Sequence, residues 1–175
     1  RDERATIAAR TGRPVTDDWM AAFYERRNQA LREGLAAIEG APEAVAAAHA
    51  RVDGRIACAS GADRFKVEMQ LAQVGLLPYF DGRVFSGHEM PRSKPAPDVY
   101  LAAAMHLGAA GGACLVIEDT PTGVTAGVAA YRAGGHDGVI AFGGGSGLLT
   151  VARPAVVEYL FGLRGFGRIS AVIAT

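Results

Sequence analysis

This sequence predicts an α/β fold with a doubly wound, parallel sheet, and three observations predict it. Short apolar runs alternate with helical patterns across residues 56–142, as in successive βαβ units whose helices cover both faces of a sheet. The helical stretch from Asp63 to Val74 has two apolar rows, Phe65-Met69-Ala72 and Val67-Leu71-Val74, and leaves Arg64, Lys66, Glu68, Gln70 and Gln73 to water, which suits a sheet-covering helix. The apolar run Cys114-Leu115-Val116-Ile117 delivers two adjacent carboxylates, Glu118 and Asp119, to its C-terminal end, and a glycine-bearing turn follows. Ligands bind open α/β sheets at that edge.

The elements follow in order. Thr16 is placed to cap a helix with Asp17 and Asp18 in its first turn, and Met20, Phe23, Tyr24, Arg27 and Leu31 recur at helical spacing. Pro42 opens a second helix with Val45, Ala48, His49 and Val52 on one face, ending near Gly54. The alternating region then runs Ile56 to Ala59 (strand), Asp63 to Val74 (helix, stopped by Gly75), Val84-Phe85 (strand), Asp98 to Leu107 (helix), Cys114 to Ile117 (strand), Gly123 to Ala133 (helix) and Val139 to Phe142 (strand). The run Gly143-Gly144-Gly145-Ser146-Gly147 reads as a loop, because Leu148 stands where a dinucleotide fingerprint needs its last glycine. Further on, Val156, Val157, Leu160 and Phe161 would form one face of a terminal helix.

A chain of 175 residues, half of them apolar, is long enough for one ordinary domain with a real core. Eighteen basic and eighteen acidic residues cancel without a basic block, so nucleic acid is not an expected partner. The apolar runs around 101–105 and 124–130 are too short to span a bilayer, and the charged Arg1-Asp2-Glu3-Arg4 opens no signal peptide. No membrane partner is expected, and the cytoplasm is the default compartment. Cys58 and Cys114 fall inside apolar strands and read as buried thiols; His49, His88, His106 and His136 lack a second ligand at helical or hairpin spacing, so no zinc site is read.

Three loops carry the chemistry, because each follows a strand and so points to one edge of the sheet. Ser60 ends the first strand as Ala59-Ser60-Gly61-Ala62, where a hydroxyl and the backbone N–H groups around Gly61 at a helix N-terminus suit a phosphate. Lys94 lies in Ser93-Lys94-Pro95-Ala96-Pro97-Asp98, where two prolines stiffen the backbone and aim one ammonium. Glu118 and Asp119 are two neighbouring acids that repel unless a cation or a shared proton relieves them, and Mg²⁺ suits hard oxygen ligands. Taken singly, each has a plainer reading: a helix cap, a solvated lysine, a polar loop.

In this order, Ser60, then Ser93-Lys94-Pro95-Ala96-Pro97-Asp98, then Leu115-Val116-Ile117-Glu118-Asp119-Thr120 with Gly123 resembles motifs two, three and four of the haloacid dehalogenase (HAD) superfamily. Val74-Gly75-Leu76, Tyr79-Phe80-Asp81 and Phe85-Ser86-Gly87 also resemble the linking text of its phosphatase and β-phosphoglucomutase-like branch with a helical cap. The resemblance covers about residues 37–145. It implies a Rossmann-like core over residues 37–175 and a partial helical cap over residues 1–36. By that resemblance Ser60 would hydrogen-bond phosphoryl oxygens, Lys94 would neutralise charge beside them, Asp119 would bind Mg²⁺, and Glu118 would bind it directly or through a neighbour. The implied activity is Mg²⁺-dependent hydrolysis of a small phosphorylated metabolite, such as a sugar phosphate, through an aspartyl-phosphate; oligomeric state stays open.

One departure is large. The family's first motif, a strand ending in Asp-x-Asp with the nucleophile, has no counterpart in this sequence. In the family that strand lies between those ending at Ser60 and Glu118, so its loss is expected to leave two rows of backbone partners unfilled across roughly 9.6 Å, and the sheet is not expected to hold as a monomer. The chain is therefore expected to be part of a longer enzyme and inactive alone. A β-phosphoglucomutase-like phosphotransferase, a metal-free dehalogenase and an inactive binding module remain alternatives. Gly61, Ala62 and Asp63 after the serine disfavour the second phosphate a mutase holds, although Arg64 stands within reach of one.

Overall fold

The computed structural model describes residues 3–108, 114–118, 120–134, 138–141 and 170–174. The chain divides into two compact units, Arg1–Leu35 and Ala36–Thr175. The first holds two helices, α1 (Glu3–Thr11) and α2 (Asp17–Gly34). Thr16 caps α2 as its sequence position predicts: its side chain accepts a hydrogen bond from the Trp19 N–H at 3.2 Å, which satisfies one of the donors a helix start leaves open. Along α2, Trp19 stacks on Phe23 with ring centroids 5.4 Å apart, and the Arg27 guanidinium lies 4.7 Å from the Tyr24 ring centre.

The second unit runs α3 (Ala41–Arg51), β1 (Ile56–Ser60), α4 (Arg64–Gln73), β2 (Val84–Ser86), α5 (Asp98–His106), β3 (Cys114–Glu118), α6 (Pro121–Gly134), β4 (Gly138–Ala141) and β5 (Ser170–Ala174). Two short 3-10 turns, Leu77–Phe80 and Gly87–Glu89, flank β2. Among the described residues the strands form one five-stranded sheet in the order β2-β1-β5-β3-β4, with every pairing parallel. The predicted class, parallel α/β, is the observed one.

Side chains leave the sheet alternately on its two faces, as strand geometry requires. On one face Ile56, Cys58 and Leu115 pack with Val45, Ala48, Val67, Leu71, Phe80 and Val84. On the other, Ala57, Ala59, Cys114 and Val116 pack with Val99, Tyr100, Ala103, Ala126 and Ala130. The alanines of β1 on this second face leave room for α5, and Tyr100 is 1% exposed there. Two covered faces are what a doubly wound sheet needs.

The central row differs from the sequence expectation. That row is not empty: β5 fills it, with Ala171 opposite Ile56 and Leu115, and Val172 opposite Ala57 and Val116. Parallel pairing on both sides gives β5, β1 and β3 the backbone partners whose loss argued against a stable sheet. Ser170–Ala174 is an apolar run that the sequence pattern left unassigned, because its partners are far away in the chain. The loop expected at 143–147 and the helix face expected at Val156 to Phe161 lie outside the described residues.

Candidate active site

Ser60 closes β1 at 2% exposure, and its register partner on β2 is Ser86, which is fully buried. Both hydroxyls organise the turn that leads into α4. Ser60 Oγ accepts the Ala62 N–H at 3.1 Å; Ser86 Oγ donates to the Ala62 carbonyl at 2.7 Å and accepts the His88 N–H at 3.1 Å. Asp63 then caps α4 by accepting from the Phe65 N–H at 3.0 Å. A Cβ on Gly61 would meet nothing within 4 Å, so open space adjoins its backbone, whereas one on Gly87 would reach the Ser60 carbonyl at 3.4 Å and Ser93 Cβ at 3.5 Å. The loop after β2 therefore packs directly against the Ser60 turn and the segment that carries Lys94.

That segment is held at its far end. Arg92 donates twice to Asp98, from Nε at 3.2 Å and Nη2 at 2.7 Å, which ties the proline-rich loop to the first turn of α5. Lys94 Nζ then donates to Glu118 Oε1 at 2.6 Å and to the Ala59 carbonyl at 3.2 Å, and lies 4.9 Å from the Tyr100 ring centre. The ammonium thus bridges the ends of β1 and β3, two rows apart in the sheet. The pair is buried, at 8% and 1% side-chain exposure.

Glu118 is held from four directions. Oε1 also accepts the Tyr100 hydroxyl at 2.8 Å, while Oε2 accepts both the backbone N–H and the hydroxyl of Thr120, each at 2.9 Å. Thr120 Oγ1 in turn accepts the Gly123 N–H at 3.0 Å, so the first turn of α6 reaches the carboxylate through one hydroxyl. Burial alone would push the Glu118 carboxyl up; the Lys94 ammonium and the Thr120 and Tyr100 hydrogen bonds outweigh it and hold the group below the usual carboxylate range. It stays ionised.

The donor set tests the implied magnesium. Two carboxylate oxygens offer about four acceptor positions, and Lys94, Tyr100 and Thr120 occupy them. Glu118 as placed therefore fits an orienting role and does not fit direct metal ligation, while Asp119 lies outside the described residues. Among the described residues no group of three His, Cys, Asp or Glu side chains could hold a metal ion.

Of the residues singled out by sequence, Lys94 and Glu118 meet directly, and Ser60 and Gly61 adjoin the carbonyl on which Lys94 rests. Three further residues build the site and carried no sequence role: Tyr100, Thr120 and Ser86. Tyr100 reads as an ordinary apolar position of α5. Its one distinguishing signal is that a buried tyrosine hydroxyl needs a partner.

Fold and site together define an α/β protein whose polar groups gather at the carboxyl ends of parallel strands. The family model for haloacid dehalogenase-like hydrolases matches residues 3–130, and the chain belongs to that family. It is similar to the fructose-1-phosphate phosphatase YqaB of Escherichia coli, 37% identical over 84 residues, covering 48% of this chain and 42% of that protein. It is also similar to hexitol phosphatase A of the same organism, 47% identical over 45 residues, covering 26% of this chain and 21% of that protein. In fold it resembles a HAD family hydrolase from Deinococcus radiodurans solved with bound phosphate and sodium: TM-score 0.61, 27% identity, 98% of this chain and 69% of that one. The chain spans less than half the length of these two curated relatives. No helix among the described residues is long and apolar enough to cross a membrane.

Proposed function

We propose that the protein is a phosphomonoester hydrolase for a small phosphorylated metabolite, with a sugar phosphate as the substrate class. The observation that carries this reading is the seat of Lys94. Its ammonium is fixed by Glu118 and the Ala59 carbonyl beside the Ser60 turn, with two of its three N–H bonds engaged among the described residues. A phosphoryl oxygen is the acceptor that suits the third. Ser60 Oγ, which accepts from Ala62, keeps its own hydrogen to donate to the same group, and the open space beside Gly61 leaves room for it. In the proposed reaction an aspartate from outside this sequence attacks phosphorus, the ester P–O bond breaks, the departing alcohol takes a proton, and water then cleaves the aspartyl phosphate. Lys94 and Ser60 position and neutralise the phosphoryl oxygens throughout, which is where most of the catalysis of such a transfer lies. Magnesium, when bound, would offset further charge, with Asp119 as its candidate ligand. The phosphatase names of the similar proteins and the phosphate of the D. radiodurans neighbour support the reading.

A second reading has its own observation. Among the described residues β5 fills the row between β1 and β3, which suits a phosphate-binding module without turnover. The test is the purified protein with fructose 1-phosphate, followed by amide chemical shifts for binding and by released phosphate for turnover. Binding that Lys94→Met abolishes is the expected result. Release by a longer form that supplies an Asp-x-Asp nucleophile selects the hydrolase, and binding without release in that form selects the module. No binding in either form sinks both.

A further inference from the structure

Beside the Ser60 turn stands an ion cluster that the reading above does not use. Arg64, the first residue of α4, donates Nε to Glu89 Oε1 at 2.7 Å and Nη2 to Glu89 Oε2 at 2.5 Å, while Nη1 lies 3.7 Å from Glu68 Oε1. Every nitrogen of the guanidinium thus faces a carboxylate oxygen. The bidentate fork is the strong geometry for this pair. Glu89 holds the Arg64 guanidinium above its ordinary pKa, and Arg64 holds the Glu89 carboxyl below its own, chiefly through that hydrogen bonding.

The cluster has a fixed place relative to the site. Glu89 ends the short turn whose Gly87 packs on the Ser60 carbonyl and the Gly61 Cα, and Arg64 follows two residues after Ala62, whose N–H and carbonyl engage Ser60 and Ser86. Arg64 is the cation next along the chain after the anion-holding turn. Two carboxylates on one guanidinium leave the patch with one net negative charge. Arg64 is therefore occupied, and a second phosphate that approached it would meet charge of the wrong sign.

We infer that the Arg64–Glu89 clamp is a specificity determinant, one that limits the site to ligands with a single phosphate group by withholding Arg64 from a second. The inference rests on the phosphate-binding reading above. Rejection through an unfavourable charge is a recognised half of specificity, and it acts here without any residue that touches the first phosphate. Both side chains are partly exposed, at 37% and 43%, so Glu89→Gln changes charge with little effect on folding.

The experiment compares the binding of fructose 1-phosphate and fructose 1,6-bisphosphate by isothermal titration and amide shifts. The unaltered protein is expected to prefer the monophosphate, and equal or tighter binding of the bisphosphate overturns the clamp. Glu89→Gln is expected to raise affinity for the bisphosphate relative to the monophosphate by about tenfold, the size of one charge-assisted contact. The double variant Arg64→Met/Glu89→Gln is expected to lose that gain, which assigns it to the guanidinium rather than to removal of a negative charge. An unchanged ratio in Glu89→Gln, or a gain that survives in the double variant, overturns the clamp while leaving the phosphate site intact. Failure of the unaltered protein to bind the monophosphate removes the site and the clamp together.

Discussion

Gly123 stands so close to the Glu118 carboxylate that a Cβ built on it would lie 1.9 Å from both Cδ and Oε1 and 2.2 Å from Oε2. No side chain fits there without moving the carboxylate that seats Lys94. Gly123 is helical, so its value is absence of a side chain, and the close approach lets its N–H reach Thr120 Oγ1.

Two opposing effects meet in Gly123→Ala. Alanine favours a helix interior over glycine by about 1 kcal/mol, but overpacking a filled site costs about 1–3 kcal/mol, and a contact under 2 Å with a buried, hydrogen-bonded group belongs at the upper end. The expected outcome is a lower melting temperature and weaker phosphate binding. Differential scanning calorimetry with a phosphate titration checks it; a raised melting temperature with binding intact would show that the carboxylate is not held here.

The Lys94 and Glu118 pair should behave as a unit. Lys94→Met leaves a buried carboxylate without its cation, a change that costs about 3–5 kcal/mol where nothing else compensates; Tyr100 and Thr120 still donate, so about 3 is expected. Lys94→Met/Glu118→Gln should cost less than the two single changes added, read from urea denaturation of the four proteins. The sign with pH follows from Glu118, whose folded-state pKa lies below its ordinary 4.5. Its contribution is present above that ordinary value and is lost as pH falls through the folded one. Glu118→Gln should therefore flatten the acid limb of the stability curve, and an acid limb identical to that of the unaltered protein would contradict the pairing.

The central row is tested through the backbone. Each N–H of an interior strand is committed to a neighbour, and proline has none to give. Val172→Pro, at the position opposite Ala57 and Val116, is expected to cost at least about 2 kcal/mol through a buried carbonyl left unpaired. Hydrogen exchange on Ala57 to Ala59 and Leu115 to Ile117 should accelerate with it. Unchanged exchange in both strands would place β5 outside the sheet.

Cys114 offers an alkaline signature. Burial pushes its thiol from 9.0 up to about 11, so in the native state it stays protonated and slow to react with a disulfide reagent at pH 8. Because the folded pKa is the higher one, stability is intact below the unfolded value and declines as pH rises from about 9 towards 11. Cys114→Ala should lack that decline, and fast native-state labelling of Cys114 would refute the burial.

Much of this site was legible in the sequence because its pieces are local. A hydroxyl after an apolar run, a lysine stiffened by two prolines and an acid pair before a glycine turn each announce a strand end, and parallel strands bring such ends to one rim. Tyr100 was hidden because helical spacing marks it as core, and its second role, a hydroxyl given to Glu118, depends on a strand that follows it in the chain. The Arg64–Glu89 fork was hidden for a similar reason, since 25 residues separate its partners.

What the sequence determined alone is the order of strands and helices from α2 to β4, the parallel α/β class and the residue types gathered at the carboxyl edge, since these follow from local periodicity and turn chemistry. What only the tertiary structure decided is who occupies the middle of the sheet and what the charged groups do there. Ser170–Ala174 pairs with strands more than fifty residues earlier, and Glu118 spends its lone pairs on Lys94, Tyr100 and Thr120. Strand adjacency and hydrogen-bond saturation are properties of contacts between distant segments, and no window of the chain contains them.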